Sequence, residues 1–313
     1  MQASATVTTR DVLEALAAEG GLRGAAIEGV DAAGIDLANC DLTDTTWRDV
    51  SLARADLTDA KLVGARLERV VLDGARMMGV ELERAMLGGL DLRKAKVSVR
   101  SLDGADLRGA RFFLADLSGL ELGQCKLRAV ELRQCLLLEA RAPRADLRDA
   151  VLIDATFDGA DLTAANLVGA DCTRISLRKA KLAHAALTKV VARSADAREA
   201  NLDGIEAAEI DLRDAALDGA TLRQANLSGA KLHEARLVGA DLQGSLLARA
   251  DLRFADLAHA DLRFAHLLDA DLDRASLHRA RMAGAETTGA RLNTVRDTDE
   301  ERARAEDFGK ERR

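Results

Sequence analysis

The sequence predicts an all-β solenoid wound as a four-sided coil, and three observations predict it. A five-residue unit, as in Ala240-Asp241-Leu242-Gln243-Gly244, recurs without losing register from Leu22 to Leu292. Leucine fills most positions whose number ends in 2 or 7, and among the replacements only Thr287 is polar. The position two residues earlier is mostly alanine. Its bulkier occupants, including Val30, Val50, Val70, Leu90, Val130 and Ile210, fall in one column when residues 20 apart are stacked.

A period of five matches neither the 3.6 of a helix nor the 2 of a plain strand. It calls for a backbone that turns after each unit, so that every fifth side chain faces one interior. The small residue and the leucine, two apart, point inward from a short strand while the residue between them points out. The remaining two residues make the corner, where Gly64, Gly74, Gly159, Gly219 and Gly239 suit a positive φ. Ahead of the repeat, residues 9–18 read as an amphipathic helix opened by Thr9 and closed by Gly20-Gly21, expected to cover the first coil. The expected organisation is a capping helix over 1–21, the repeat over 22–292 and a charged helix and tail over 293–313.

Tandem A(D/N)LXX units of this kind resemble the pentapeptide-repeat proteins over residues 22–292. The resemblance implies a right-handed quadrilateral β-helix with four units per coil. For function it implies a non-enzymatic protein–protein scaffold. Some members imitate duplex DNA and bind type II topoisomerases, conferring resistance to topoisomerase poisons; others are adaptors that accompany type VI-like secretion spikes and effectors. The register-breaking loops of the quinolone-resistance members have no counterpart in this sequence.

Composition agrees with a narrow, filled interior: one proline, no tyrosine and 2% aromatic residues. A net charge of −7 argues against direct nucleic-acid binding, and no segment reads as a membrane span or a signal peptide, so a cytoplasmic protein is expected. Cys40, Cys125, Cys135 and Cys172 occupy the two inward series and are expected to pack as small hydrophobes. His184, His233, His259, His266 and His278 lie outside those series, no two in one stacked column, and are expected to be solvated. Neither a catalytic constellation nor a metal or cofactor motif is legible. Two local departures stand out. Arg100 occupies a position where alanine is expected, which predicts a distorted corner that lets it out. Around Ala192 and Ala197, alanine replaces leucine and the core should thin.

Candidate partner contacts are therefore sought on the outer walls. Arg108, Arg128 and Arg148 form one stacked column, and Arg193, Arg213, His233 and Arg253 another. Asp106, Asp146, Asp211 and Asp251 precede four of these by two residues, which favours a lattice of local ion pairs over an anion-binding stripe. Phe113, Leu114 and Ile153 make a candidate apolar patch, and Phe254 and Phe264 stand at two further corners. A topoisomerase or a secretion component is the partner class so implied, with the protein itself a monomer or a dimer.

Overall fold

A computed structural model of the protein describes residues 6–310 and divides into two compact units, Met1–Asp161 and Leu162–Arg313. Each is a right-handed four-sided β-solenoid built from the same local device. Where one unit meets the next, the amide of the small residue donates to the carbonyl three residues back, as from Ala55 to Leu52 (3.1 Å) and from Ala240 to Leu237 (3.0 Å). That bond closes a β-turn over the corner, and the residue before the alanine takes a positive φ, the type II pattern. Glycine occupies many of these sites, but Asp44 (φ 60°), Arg54 (φ 59°) and Glu209 (φ 59°) hold the same conformation.

Coils are joined by parallel pairing at a separation of 20 residues, as in Asp36↔Asp56 and Asp211↔Lys231. The amide of Leu37 donates to the carbonyl of Asp56 (2.8 Å), and the amide of Asp56 to the carbonyl of Ile35 (2.9 Å). Polar backbone groups are thereby satisfied one coil on, and a narrow interior tolerates nothing less. The two sequence series fill that interior. Leu62, Leu82 and Leu102 are each 1% exposed or less, and the alanines between coils are equally covered.

In the first unit the longest ladder is β1 (Thr6–Val7), β2 (Ala26–Glu28), β3 (Thr46–Arg48) and β4 (Arg66–Glu68), in that order and all parallel. Between β1 and β2 runs α1 (Arg10–Glu19), which buries Leu13 and ends on Gly20 in the left-handed conformation. Thr9 stands at its N-cap without a side-chain cap bond; Arg10 instead ties the helix to the carbonyl of Ala33 (2.9 Å). Trp47, the largest side chain in the core, sits where a leucine is usual. Its indole N–H donates to the hydroxyl of inward Thr45 (2.8 Å), which passes a bond on to the carbonyl of Leu42 (2.6 Å). A buried tryptophan thus brings its own acceptor.

The pair β5 (Arg76–Glu81) and β6 (Lys96–Ser101) breaks the corner rule. Val80 pairs with Val99 and Glu81 with Ser101, so Gly79 bulges from one strand and Arg100 from the other. Val99 takes the inward place and Arg100 is exposed. Arg100 reaches across Gly79 to Asp59 (2.7 Å), two coils back, and lies 3.7 Å from Glu81. A Cβ at Gly79 would strike the Asp59 carboxylate, so the bridge depends on glycine there. The remaining named strands, β7 (Arg111–Phe113) and β8 (Glu131–Arg133), pair in register.

The second unit contains no named strand among its described residues; it is built from single-residue bridges and turns, and ends in α2 (Glu300–Lys310). Its core encloses a void of about 40 Å³ with a wholly apolar lining that includes Ala192, Ala195, Ala197, Leu177 and Leu217. Alanines in the leucine series leave this space, as the sequence predicts. From Met282 onward the inward series is only half-buried, because no further coil stacks on it among the described residues.

Replacing Leu227, which is 1% exposed, by Arg should abolish cooperative folding, since it places an unpaired charge among leucines. Gln243→Arg, on an outward position, should leave the thermal midpoint nearly unchanged. Equal melting curves would contradict the register. Ala197→Val should fill part of the void and raise stability by about 1 kcal/mol, read from urea unfolding.

Candidate interaction surface

The outer walls are organised by a second local device. Where a unit reads Asp-Leu-Arg, the aspartate at the face and the arginine at the corner close a two-pronged ion pair. Arg108 Nη2 lies 2.6 Å from Asp106 Oδ2 and Nε 2.9 Å from Oδ1; Arg148 and Asp146 repeat the geometry at 2.6 and 2.7 Å. Asp91/Arg93, Asp251/Arg253 and Asp261/Arg263 do the same, and so does Asp196/Arg198, where the intervening residue is Ala197. In each, the aspartate also accepts the arginine's own backbone amide, as Asp106 does at 3.3 Å. The corner turn and the ion pair are thus one structure, and the extended strand sets its spacing.

Electrostatics follow from that geometry. The Arg108 guanidinium holds Asp106 down at about 2, against the opposing effect of burial, and Arg93 does the same for Asp91. Asp211 is pushed lower still, first by Arg213 and also by Arg193, whose Nε lies 2.7 Å away. The predicted arginine columns are therefore neutralised in place. Arg108 and Arg148 belong to their own aspartates and Arg128 to Asp149 (3.2 Å). Arg193 and Arg213 share Asp211, and Arg253 pairs with Asp251.

Thiol chemistry is suppressed inside the walls. Burial pushes Cys125 up to about 11 and Cys135 and Cys172 up to about 12. Cys40 departs from expectation: it is only half-buried and borders an open groove between α1 and residues 34–40. The reason is its place near the first coil, where α1 covers the wall incompletely.

Among the apolar candidates, Leu114 is 65% and Phe264 63% exposed, whereas Phe113 and Phe254 are each 38% exposed and Ile153 is half-buried. Phe254 is already engaged: it meets His233 edge-on (centroids 5.3 Å apart), and the Arg274 guanidinium lies 5.4 Å from its ring centre. Leu114 (φ 57°), Phe254 (φ 61°) and Phe264 (φ 59°) all occupy left-handed corner positions, which large side chains adopt at a cost. Phe264 leans over Gly284, where a Cβ would be 2.7 Å from the ring. It also bounds a corner groove of about 450 Å³ in the second unit, shared with His184, Asp203, Arg223 and Gln243.

The histidines correct the sequence reading. His278 is buried, 2% exposed, beneath α2, and its ring centroid lies 5.4 Å from that of His259 on the preceding coil. Sequence stacking put these two in different columns, but positions ending in 8 and 9 share one corner. The helix that covers them runs along the wall, held by Arg279 through the carbonyl of Ala303 (2.7 Å) and the carboxylate of Asp307 (2.6 Å). The basic end of the tail, 311–313, lies outside the described residues.

A solenoid of five-residue units with inward leucine ladders defines the class of protein. The chain belongs to the pentapeptide repeat family: the family model for pentapeptide repeats matches it in stretches running from 22–59 to 250–286. Among solved structures, it is similar to a trypsin-treated form of QnrB1, a plasmid-mediated fluoroquinolone resistance protein, at 19% identity over 62% of this chain and 95% of that one (TM-score 0.48). It is similar also to HetL of the cyanobacterium Nostoc sp. strain PCC 7120, which is involved in heterocyst differentiation regulation, at 26% identity over 84% and 89% (TM-score 0.23). A thylakoid-lumen pentapeptide repeat protein of Arabidopsis thaliana is 32% identical over 35% of this chain and 69% of that one (TM-score 0.27). No curated protein matches the chain. Among the described residues, no helix is long and apolar enough to cross a membrane.

The Asp106 pair sets a pH dependence. Its folded carboxyl lies below the ~3.9 of an unfolded aspartate, so its contribution is present above that value and is lost as pH falls from about 4 to about 2. Asp106→Asn should cost on the order of 1 kcal/mol at neutral pH, after allowance for solvent screening. The difference from the parent protein should close by the acid end of that window in chemical unfolding curves.

Proposed function

We propose that this protein is a non-enzymatic scaffold that works by binding another protein through its outer walls. The observation that carries this reading is the pair of large apolar side chains, Leu114 and Phe264, left more than half exposed at left-handed corners. Neither burial nor turn preference accounts for them, and contact with a partner does. The interior supports the same conclusion from the other side. It is filled by leucine and alanine, the void in the second unit is small and lined by apolar side chains, and its thiols are buried or held protonated. The walls offer side chains already paired with one another, an arrangement suited to surface recognition and not to proton transfer.

Within that reading, a type II topoisomerase is the partner class put to the test, one of the two that the family resemblance implies. The paired acids leave a weak field around a chain of net charge −7, so binding is carried by the exposed apolar corners more than by an acidic face. The protein at micromolar concentration should inhibit DNA gyrase supercoiling or protect the enzyme from a quinolone. Leu114→Asn and Phe264→Asn, both favourable at left-handed corners, should keep or raise the thermal midpoint while weakening that effect. No effect of the parent protein would reject the topoisomerase. Unchanged activity in both variants would reject the apolar corners as the contact.

A further inference from the structure

We propose that His259, His278 and Glu306 form a binding site for a divalent transition metal of the zinc type, closed when α2 lies on the wall of the second unit. The three side chains each direct one ligand atom into a region where all lie within 4.8 Å of one another. Glu306 Oε2 stands 3.3 Å from His259 Nε2 and 3.4 Å from His278 Nε2. Those separations are long for N–H···O hydrogen bonds. They match the spacing of neighbouring ligands around a tetrahedral zinc, about 3.3 Å for bonds of ~2.0–2.1 Å.

The surroundings fix two of the ligands. The His278 side chain is 3% exposed and held by the solenoid itself, whereas His259 at 35% and Glu306 at 26% leave a side open for a water as fourth ligand. The other oxygen of Glu306 accepts from Arg302 Nε (3.0 Å), which orients the carboxylate with Oε2 toward the imidazoles. Two features work against the ion and set its strength. His278 Nδ1 accepts the amide of Asp299 (3.1 Å), so without metal its proton sits on Nε2. Metal entry moves that proton to Nδ1 and frees the Asp299 amide to solvent. Arg279 Nε, 3.6 Å from Oε2, must also withdraw, keeping its bonds to Ala303 and Asp307. Displacing a hydrogen bond and moving the Arg279 guanidinium aside leave the affinity short of that of a structural zinc finger. The consequence is a metal-dependent clip between α2 and the coil beneath it.

The test is a titration of the full chain with zinc chloride against a chromogenic chelator at near-neutral pH, with hydrogen exchange followed across α2. The proposal predicts one zinc per chain and slower exchange over 300–307 when zinc is present. His259→Ala and Glu306→Gln, both on accessible side chains, should each weaken binding at least about tenfold and abolish the exchange effect. His266→Ala serves as the control: that histidine pairs with Glu286 on an exposed face (3.0 Å) and should leave both readouts unchanged. Absence of stoichiometric binding in the parent protein would overturn the site. So would an affinity that His259→Ala and Glu306→Gln share with it.

Discussion

Everything in each unit depends on hydrogen bonds that join a coil to the next, between residues 19 and 21 apart. The amide of an inward leucine finds a carbonyl one coil on, and the next strand returns the bond, as Leu37, Asp56 and Ile35 do. A single coil has no interior of its own; its leucines are covered only by the coils above and below. Backbone pairing and side-chain burial are therefore the same event. That is why the five-residue register tolerates substitution of leucine by Trp47, Phe112 or Phe157 but not an inserted residue without a compensating bulge. Gly79 and Arg100 are such a compensated pair, one on each strand.

Much of this was legible in the sequence because the inward positions are set by period alone. The four-sided coil, the ladders of Leu62, Leu82 and Leu102, the thinning at Ala192 and Ala197 and the outward escape of Arg100 all follow from which residues face in. The Asp-Leu-Arg ion pairs were readable too, since two residues along a strand return to one face. What period alone could not give is the path of segments outside the repeat. His278 looked solvated because its position within the unit is outward, and α2 buries it. Cys40 looked buried because its position is inward, and incomplete cover by α1 leaves it half-open.

The outer surface divides into two kinds of position. Face and corner charges are spent on each other, which keeps the walls soluble and spaced without leaving a strong anionic stripe. Corner residues in the left-handed conformation lie outside the Asp-Leu-Arg pairs, and their side chains vary more widely, from glycine and aspartate to phenylalanine. Leu114, Phe254 and Phe264 appear at such corners, and His184 shares the groove that Phe264 bounds. Large apolar side chains are thus carried on turns while the inward ladders lie on strands, and the two can change independently.

The Asp-Leu-Arg pair closes inside its own unit, with the corner turn built into it. Removing or adding one whole circuit of the coil would therefore carry these pairs along intact, disturbing only the pairs that cross from coil to coil, such as Arg128 with Asp149. Inheritance could lengthen or shorten such a wall a storey at a time, changing how far it reaches without redesigning how it stands.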